Sequence, residues 1–340
     1  MMKLITFGEI LMRLSSPQHE KLSQTKQLAV HYGGAEMNVA IGLSGLGIQT
    51  SIVSALPTHA LGDSVIQTLE AHRVDTRHIL RYPGRLGVYY LERGFGLRTP
   101  QIIYDRKDSI FMQTNVDDYA IKDYLADYDW FHVTGITAGL DKHLLDYMIT
   151  VAKHAKELGL RVSCDLNYRA LLWDFQTARA KMSKLLPYVD VLFGYEPVAL
   201  PVSSKQEACD KKDHLSRYED IEVLKPILQE IHQKYDIPYI AFTQRKIFTA
   251  TRNRLQGFLS SPQKVVQTDK FEIDILDRVG TGDAFSVGII YGFMNEWSLQ
   301  EIVDFGIKNM CYKHTISGDY SYASKAQIDQ VINEGHDINR

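Results

Sequence analysis

The chain has 340 residues, 45% of them hydrophobic and 23% charged, and carries a net charge of −3. That balance excludes bulk attraction to nucleic acid or to an anionic membrane, and the length suits a large α/β domain with an appendage. Cys164, Cys209 and Cys311 are scattered without metal-type spacing, which fits a reduced, cytoplasmic protein rather than a disulfide scaffold.

The first strand begins at once, over 4–8. No basic stretch followed by an unbroken apolar core precedes it, so no signal peptide is expected. No apolar run reaches membrane-spanning length. Residues 12–31 are rich in alternating β-formers. Then come Gly33 and Gly34, followed by Asn38, Val39, Ala40, Leu43 and Leu46. The last four fall at helical spacing, so a paired-glycine turn opens a helix. A strand is expected over 49–55 and a helix over 63–71. The segment 85–111 again alternates, with "LGVYYLERG" and "RTPQIIYDRK" reading as a hairpin-like pair.

From there strands are expected over 130–135, 161–166, 189–193 and 239–243. Helices are expected over 144–158, 178–186 and 221–235. Cys164 falls in a strand and reads as core. The polar run 202–220 reads as a surface excursion. Such βαβ alternation argues a mainly parallel sheet with helices on both faces, and ligands beyond the carboxyl ends of its strands.

The most informative stretch is Asp277-Arg278-Val279-Gly280-Thr281-Gly282-Asp283-Ala284-Phe285. It joins an alternating segment, 271–276, to an apolar run, 284–294, long enough for a three-turn helix. Free N–H groups and the helix dipole make such a joint an anion site, commonly for phosphate. Gly280 and Gly282 let an anion approach the backbone. Asp283 has two readings. It is an ordinary helix cap, or it takes a proton from a hydroxyl attacking a phosphoryl group held by the loop.

The flanking residues weight the second reading, because "DRVGTGDAF" resembles the signature of the ribokinase-like, phosphofructokinase-B type sugar kinases. "YGGAEMNVA" at 32–40 looks like the sugar-binding motif of the same family. The resemblance covers essentially the whole chain. It implies one three-layer αβα domain over 1–340, with a small β-sheet lid from about 12–31 and 85–111, often shared in a homodimer. It also implies ATP and Mg²⁺, with Asp283 as general base and Gly280, Thr281 and Gly282 as the anion hole.

Within the family the chain is most similar to the 2-keto-3-deoxygluconate kinases. The segments carrying this are "TFGEILMRL", "RLGVYYLE", "YDRKDS", "SCDLNYRALLW" and "KHTISGDY". By position, Gly33, Gly34, Asn38, Tyr89, Tyr104, Arg106 and Arg169 would line the acceptor pocket. An acid sugar needs a cation, and arginine offers a bidentate fork. Arg13 stands where many neutral-sugar relatives carry Asp, which favours an acceptor with acid character or a carbonyl. Fructose or tagatose stays open as an alternative, as does a sugar-binding paralogue with weak turnover.

Two departures bear on nucleotide and metal. Tyr195 and Val198 replace the amide and acid of an Asn-x-x-Glu stretch that organises the Mg²⁺ water shell, with Glu196 and Asp165 as nearby acids. Where relatives have a Gly-rich nucleotide loop, this chain reads Thr243-Gln244-Arg245-Lys246-Ile247. Thr243 and Arg245 are the nucleotide-side candidates, Arg245 being equally well an exposed loop arginine.

Overall fold

The computed structural model describes residues 2–198 and 220–331. The chain opens with β1 (Lys3–Phe7), β2 (Leu11–Ser15), β3 (Ala29–Gly33), α1 (Ala35–Gly45), β4 (Gln49–Pro57), α2 (Ala60–Ala71), β5 (Val74–Asp75) and β6 (Ile79–Tyr82). There follow β7 (Gly87–Glu92), β8 (Gln101–Asp105), α3 (Ile110–Gln113), β9 (Trp130–Thr134), α4 (Gly135–Leu140), α5 (Lys142–Glu157), β10 (Arg161–Asp165), α6 (Phe175–Met182) and β11 (Val191–Phe193). The last part holds α7 (Ile221–Tyr235), β12 (Tyr239–Thr249), β13 (Arg252–Ser260), β14 (Val265–Gln267), β15 (Phe271–Asp274), α8 (Thr281–Met294), α9 (Leu299–His314) and α10 (Lys325–Asp329).

The main sheet runs β14-β13-β12-β11-β10-β9-β1-β4-β5, with β15 on β13 and β6 on β4. Its pairings are parallel from β12 to β5, and β13, β14 and β15 join antiparallel. Successive strand side chains point to opposite faces, and here both faces are apolar. Ile5, Phe131, Leu192 and Ile240 pack in one cluster with residues of α5, α6 and α7. Their neighbours Leu4, Trp130, Val191 and Ala241 pack in another with α1, α8 and α9. Each strand therefore feeds two helical layers, and a three-layer αβα fold results. Cys164 is fully buried in the first cluster.

A separate four-stranded sheet has the order β3-β2-β7-β8. Its strands come from the two segments whose alternation set them apart from the parallel core. β2 pairs with β7 in parallel, and β3 and β8 flank them antiparallel. β8 is exposed along its whole length.

The structure departs from expectation in places. β12 does not stop at residue 243. It continues to Thr249 because Thr243 and Arg245 pair with Gly257 and Leu255 of β13. The segment taken for a nucleotide loop is thus strand. Neither β13 nor α9 is picked out by the sequence pattern. α9 buries Asn309, Lys313 and His314 beside its apolar residues, which blurs the stripe that normally marks an amphipathic helix. All of the polar run 202–220 except Asp220, the N-cap of α7, lies outside the described residues.

Candidate active site

A cleft of about 820 Å³ opens where β10, β11 and β12 end against the small sheet. It collects Thr243 and Arg245 from β12, Asp165 from the end of β10, Arg169 just beyond it, and Tyr89, Tyr104 and Arg106 from β7, β8 and the residue after β8. Gly280, Thr281, Gly282 and Asp283 form part of the same wall. Gly33, Gly34 and Asn38 are not among its lining residues, although Asn38 reaches Asp283.

Gly280 is the N-cap of α8 and holds a left-handed φ of 73°, with no side chain capping the helix. The first N–H groups of a helix have no partner within it, so those of Thr281, Gly282 and Asp283 head the helix dipole at the cleft. A Cβ on Gly280 would lie 1.5 Å from the Asp319 carbonyl oxygen, whereas one on Gly282 would meet nothing within 4 Å among the described residues. The first glycine is required by the protein, and the second leaves room for a ligand. Asp283 is the third residue of α8, not its cap. The plain capping alternative therefore does not hold.

Asp283 is 8% exposed. Asn38 Nδ2 donates to its Oδ2 at 2.6 Å. Burial pushes the carboxyl up to about 6, while the Asn38 bond and the charge of Arg169 pull it down. Asn38 Oδ1 is buried and has no hydrogen-bond partner among the described residues. The two glycines ahead of Asn38 are there for packing. A Cβ on Gly33 would come within 2.6 Å of the Asp319 side chain, and one on Gly34 within 2.4 Å of the Glu9 carbonyl.

The acceptor-side residues differ in how far they are already engaged. Tyr89 donates from its hydroxyl to Asp319 Oδ2 at 2.5 Å. Tyr104 lies with its ring 5.7 Å from that of Tyr89, and the Arg106 guanidinium sits 5.8 Å from the Tyr104 ring. Arg106 is paired with buried Glu9, its Nε 2.8 Å from Oε2. Arg169 is exposed and makes no ion pair among the described residues. Its charge also lowers the carboxyl of Asp165.

Arg13 corrects the sequence expectation. It is fully buried, with Nη2 2.8 Å from Asp277 Oδ2 and Nε 3.1 Å from Asp319 Oδ1. Two carboxylates neutralise it, so its presence says nothing about an acid acceptor. Asp277 and Asp319 were missed as site residues, although both lie inside quoted motifs. Nothing local marks a motif residue as the partner of a distant arginine.

The metal-side positions also resolve differently from the motif comparison. Tyr195 lines the cleft, but Val198 is 1% exposed and belongs to the apolar core. A glutamate there would be buried among hydrocarbon, so Val198 does not stand where a water-shell acid is useful. Glu196 does face the cleft. Burial pushes its carboxyl up to about 7, against the pull of Arg179. Asp165 is pushed up to about 7 by burial and then by Asp283. Among the described residues no group of three or more His, Cys, Asp or Glu is placed to hold a metal. Two cleft carboxyls whose charge is disfavoured by burial fit a hydrated cation carried mainly by nucleotide phosphates.

Residues 1–321 match the profile described as pfkB family carbohydrate kinase. The chain is 29% identical over 333 residues to a 2-dehydro-3-deoxygalactonokinase of Haloferax volcanii, covering 98% of this chain and 97% of the relative. It is 26% identical over 311 residues to a 2-dehydro-3-deoxygluconokinase of Bacillus subtilis, covering 89% and 86%. Among solved structures it resembles the 2-dehydro-3-deoxygluconokinase of Thermotoga maritima, with a TM-score of 0.88 and 35% identity over 97% of this chain and 99% of that one.

Proposed function

The chain belongs to the pfkB family of carbohydrate kinases and is therefore a phosphotransferase; on that premise we propose that it phosphorylates the primary hydroxyl of 2-keto-3-deoxygluconate with ATP. The reading rests chiefly on Asp283, a buried carboxyl directly inside an uncapped helix N-terminus and held by Asn38. As the sugar oxygen bonds to the γ-phosphorus, Asp283 takes its proton. The bond to the bridging oxygen breaks, and ADP leaves with that electron pair. The N–H groups at Gly280 to Gly282 hold the charge on the transferring oxygens. Mg²⁺, when bound with the nucleotide, offsets phosphate charge, and Asp165 and Glu196 would hold its water shell. Thr243 and Arg245 serve the nucleotide side. The names of the Thermotoga and Bacillus relatives support this acceptor, and that of the Haloferax relative supports a closely related sugar acid.

The direct test is ATP consumption against Mg²⁺ concentration, with 2-keto-3-deoxygluconate, 2-keto-3-deoxygalactonate, fructose and tagatose. The expected result is Mg²⁺-dependent turnover with the highest kcat/KM on an acid sugar. Turnover on fructose or tagatose alone would move the reading to a neutral ketohexose. Sugar binding without turnover on any acceptor would move it to a binding paralogue.

Arg169 is the cation assigned to the acceptor carboxylate, since Glu9 already offsets Arg106. Arg169→Ala is expected to weaken an acid sugar by about 1.5–3 kcal/mol, the worth of a lost charge-assisted bond, and to leave ATP binding little changed. Isothermal calorimetry with acid and neutral sugars measures this. Equal losses for both would remove the carboxylate argument.

The small sheet is assigned as a lid over the sugar and as the surface of a homodimer. Exposed β8, with Ile102, Ile103 and Tyr104 each more than a third exposed, supports this. Sedimentation velocity is expected to give twice the chain mass, and a monomer throughout the micromolar range would end this assignment.

A further inference from the structure

Gly33 of one motif and Gly280 of the other close on the same residue, Asp319, in the segment between α9 and α10. The Asp319 side chain fills the space a Cβ on Gly33 would need, and its carbonyl oxygen fills the space a Cβ on Gly280 would need. Two polar contacts reach it from the small sheet. Tyr89 of β7 donates to Oδ2 at 2.5 Å, and Arg13 of β2 places Nε 3.1 Å from Oδ1. The other arm of Arg13 grips Asp277 at 2.8 Å and 3.3 Å. Asp277 opens the anion loop, where its Oδ1 accepts from the Val279 N–H at 3.1 Å and its Oδ2 from the Gly318 N–H at 3.2 Å. Arg13, Asp319, Asp277 and Tyr89 are exposed by 0%, 2%, 4% and 7%.

We propose that Asp319, together with Arg13, is a positioning residue for phosphoryl transfer: the pair locks the anion loop in register with the small sheet over the acceptor. Two features set this apart from generic support. The polar side-chain contacts of Asp319 run to the small sheet, while its backbone presses on the anion loop, so one residue spans the two halves of the site. And buried ion pairs are weak contributors to stability compared with well-packed apolar residues, so charges kept behind the loop are better explained by what they align. Transfer is sensitive to such alignment, because a misplacement of about 1 Å costs roughly 10²-fold in rate. The proposal rests on the anion-hole reading of the Gly280 to Gly282 loop, and its test separates the two.

The test compares the wild-type chain with Asp319→Asn and Arg13→Lys. The asparagine keeps the shape and an acceptor for Tyr89 but loses the charge. The lysine keeps the charge but loses the fork that spans two carboxylates. Three quantities are measured: melting temperature, amide exchange across the chain, and kcat and KM with 2-keto-3-deoxygluconate, ATP and Mg²⁺. Both variants are expected to unfold cooperatively. Amides of 279–283 should exchange roughly tenfold faster while the core strands keep their protection. In Asp319→Asn, kcat should fall by about 10²-fold with the KM for ATP little changed. Unchanged exchange at 279–283 in both variants overturns the proposal. So does faster exchange spread evenly over all elements, which is the mark of a merely structural role. A wild-type chain inactive on 2-keto-3-deoxygluconate would count against the function proposed above, and the exchange pattern would still decide this one.

Discussion

Replacing Asp283 by asparagine is expected to lower kcat by roughly 10²–10⁴, the usual scale for loss of a general base. The substitution is close to isosteric and leaves an acceptor for Asn38, so sugar and nucleotide binding should change little. Near-normal turnover in the variant would remove Asp283 from the role of base. The pH dependence gives an independent check. The carboxyl sits at about 6 because burial disfavours its charge, and a base must be ionised to act. Turnover in the wild-type chain should therefore fall as pH drops through about 6.

Stability should run the other way. The native state holds this proton more tightly than the unfolded chain, whose carboxyl titrates near the ordinary 3.8. The stability this contributes is full below that value and is lost as pH rises through about 6. Asparagine is never ionised, so Asp283→Asn should raise the melting temperature relative to the wild-type chain at pH 8. The difference should close as pH approaches 4. A variant less stable than the wild-type chain at pH 8 would mean that the carboxylate is a net support to the fold, contrary to its burial.

Gly280→Ala is expected to be the second most damaging change. The residue holds φ at 73°, where a side chain costs about 1–2 kcal/mol. Its Cβ would lie 1.5 Å from a backbone oxygen that cannot rotate away. The loop must move, and the loss of one aligned oxyanion donor alone costs about 10²–10³ in kcat. Gly282→Ala is the control. Its Cβ meets nothing within 4 Å among the described residues, so the fold should tolerate it and the melting temperature should hold, while a methyl group on the loop that holds the phosphate should lower turnover. Equal melting temperatures and equal activities for both variants would show that the Asp319 contact does not set the loop.

Much of the architecture was legible because it is written locally. The parallel strands carry apolar side chains on both faces, and α5 and α7 pair a capping aspartate with a buried apolar stripe. α7 spans the residues anticipated for it, 221–235. α1 starts at Ala35, four residues before Val39, the first position its helical spacing marks, because Glu36 and Asn38 interrupt the apolar pattern. Glu36 is buried all the same, its Oε1 accepting from the hydroxyls of Thr134 and Thr137, each at 2.8 Å. A pattern of apolar residues cannot register a polar side chain whose partners lie about a hundred residues away.

What the sequence determined by itself was the chemistry class. A glycine-rich joint between strand and helix with an acid inside it, and a paired-glycine motif far upstream, are local facts with local physical meaning. The tertiary structure alone decided what each charge is for. Arg13, read as a sign of an acid acceptor, is neutralised by Asp277 and Asp319, residues more than 260 positions away in the chain. Val198, read as a missing metal-side acid, is core, and the acids that face the cleft there are Glu196 and Asp165. Arg245 stands in a strand because β13 folds back to pair with it. A side chain's charge is visible in its letter, but its work depends on which distant groups desolvate it and which oppose it, and only folding brings those together.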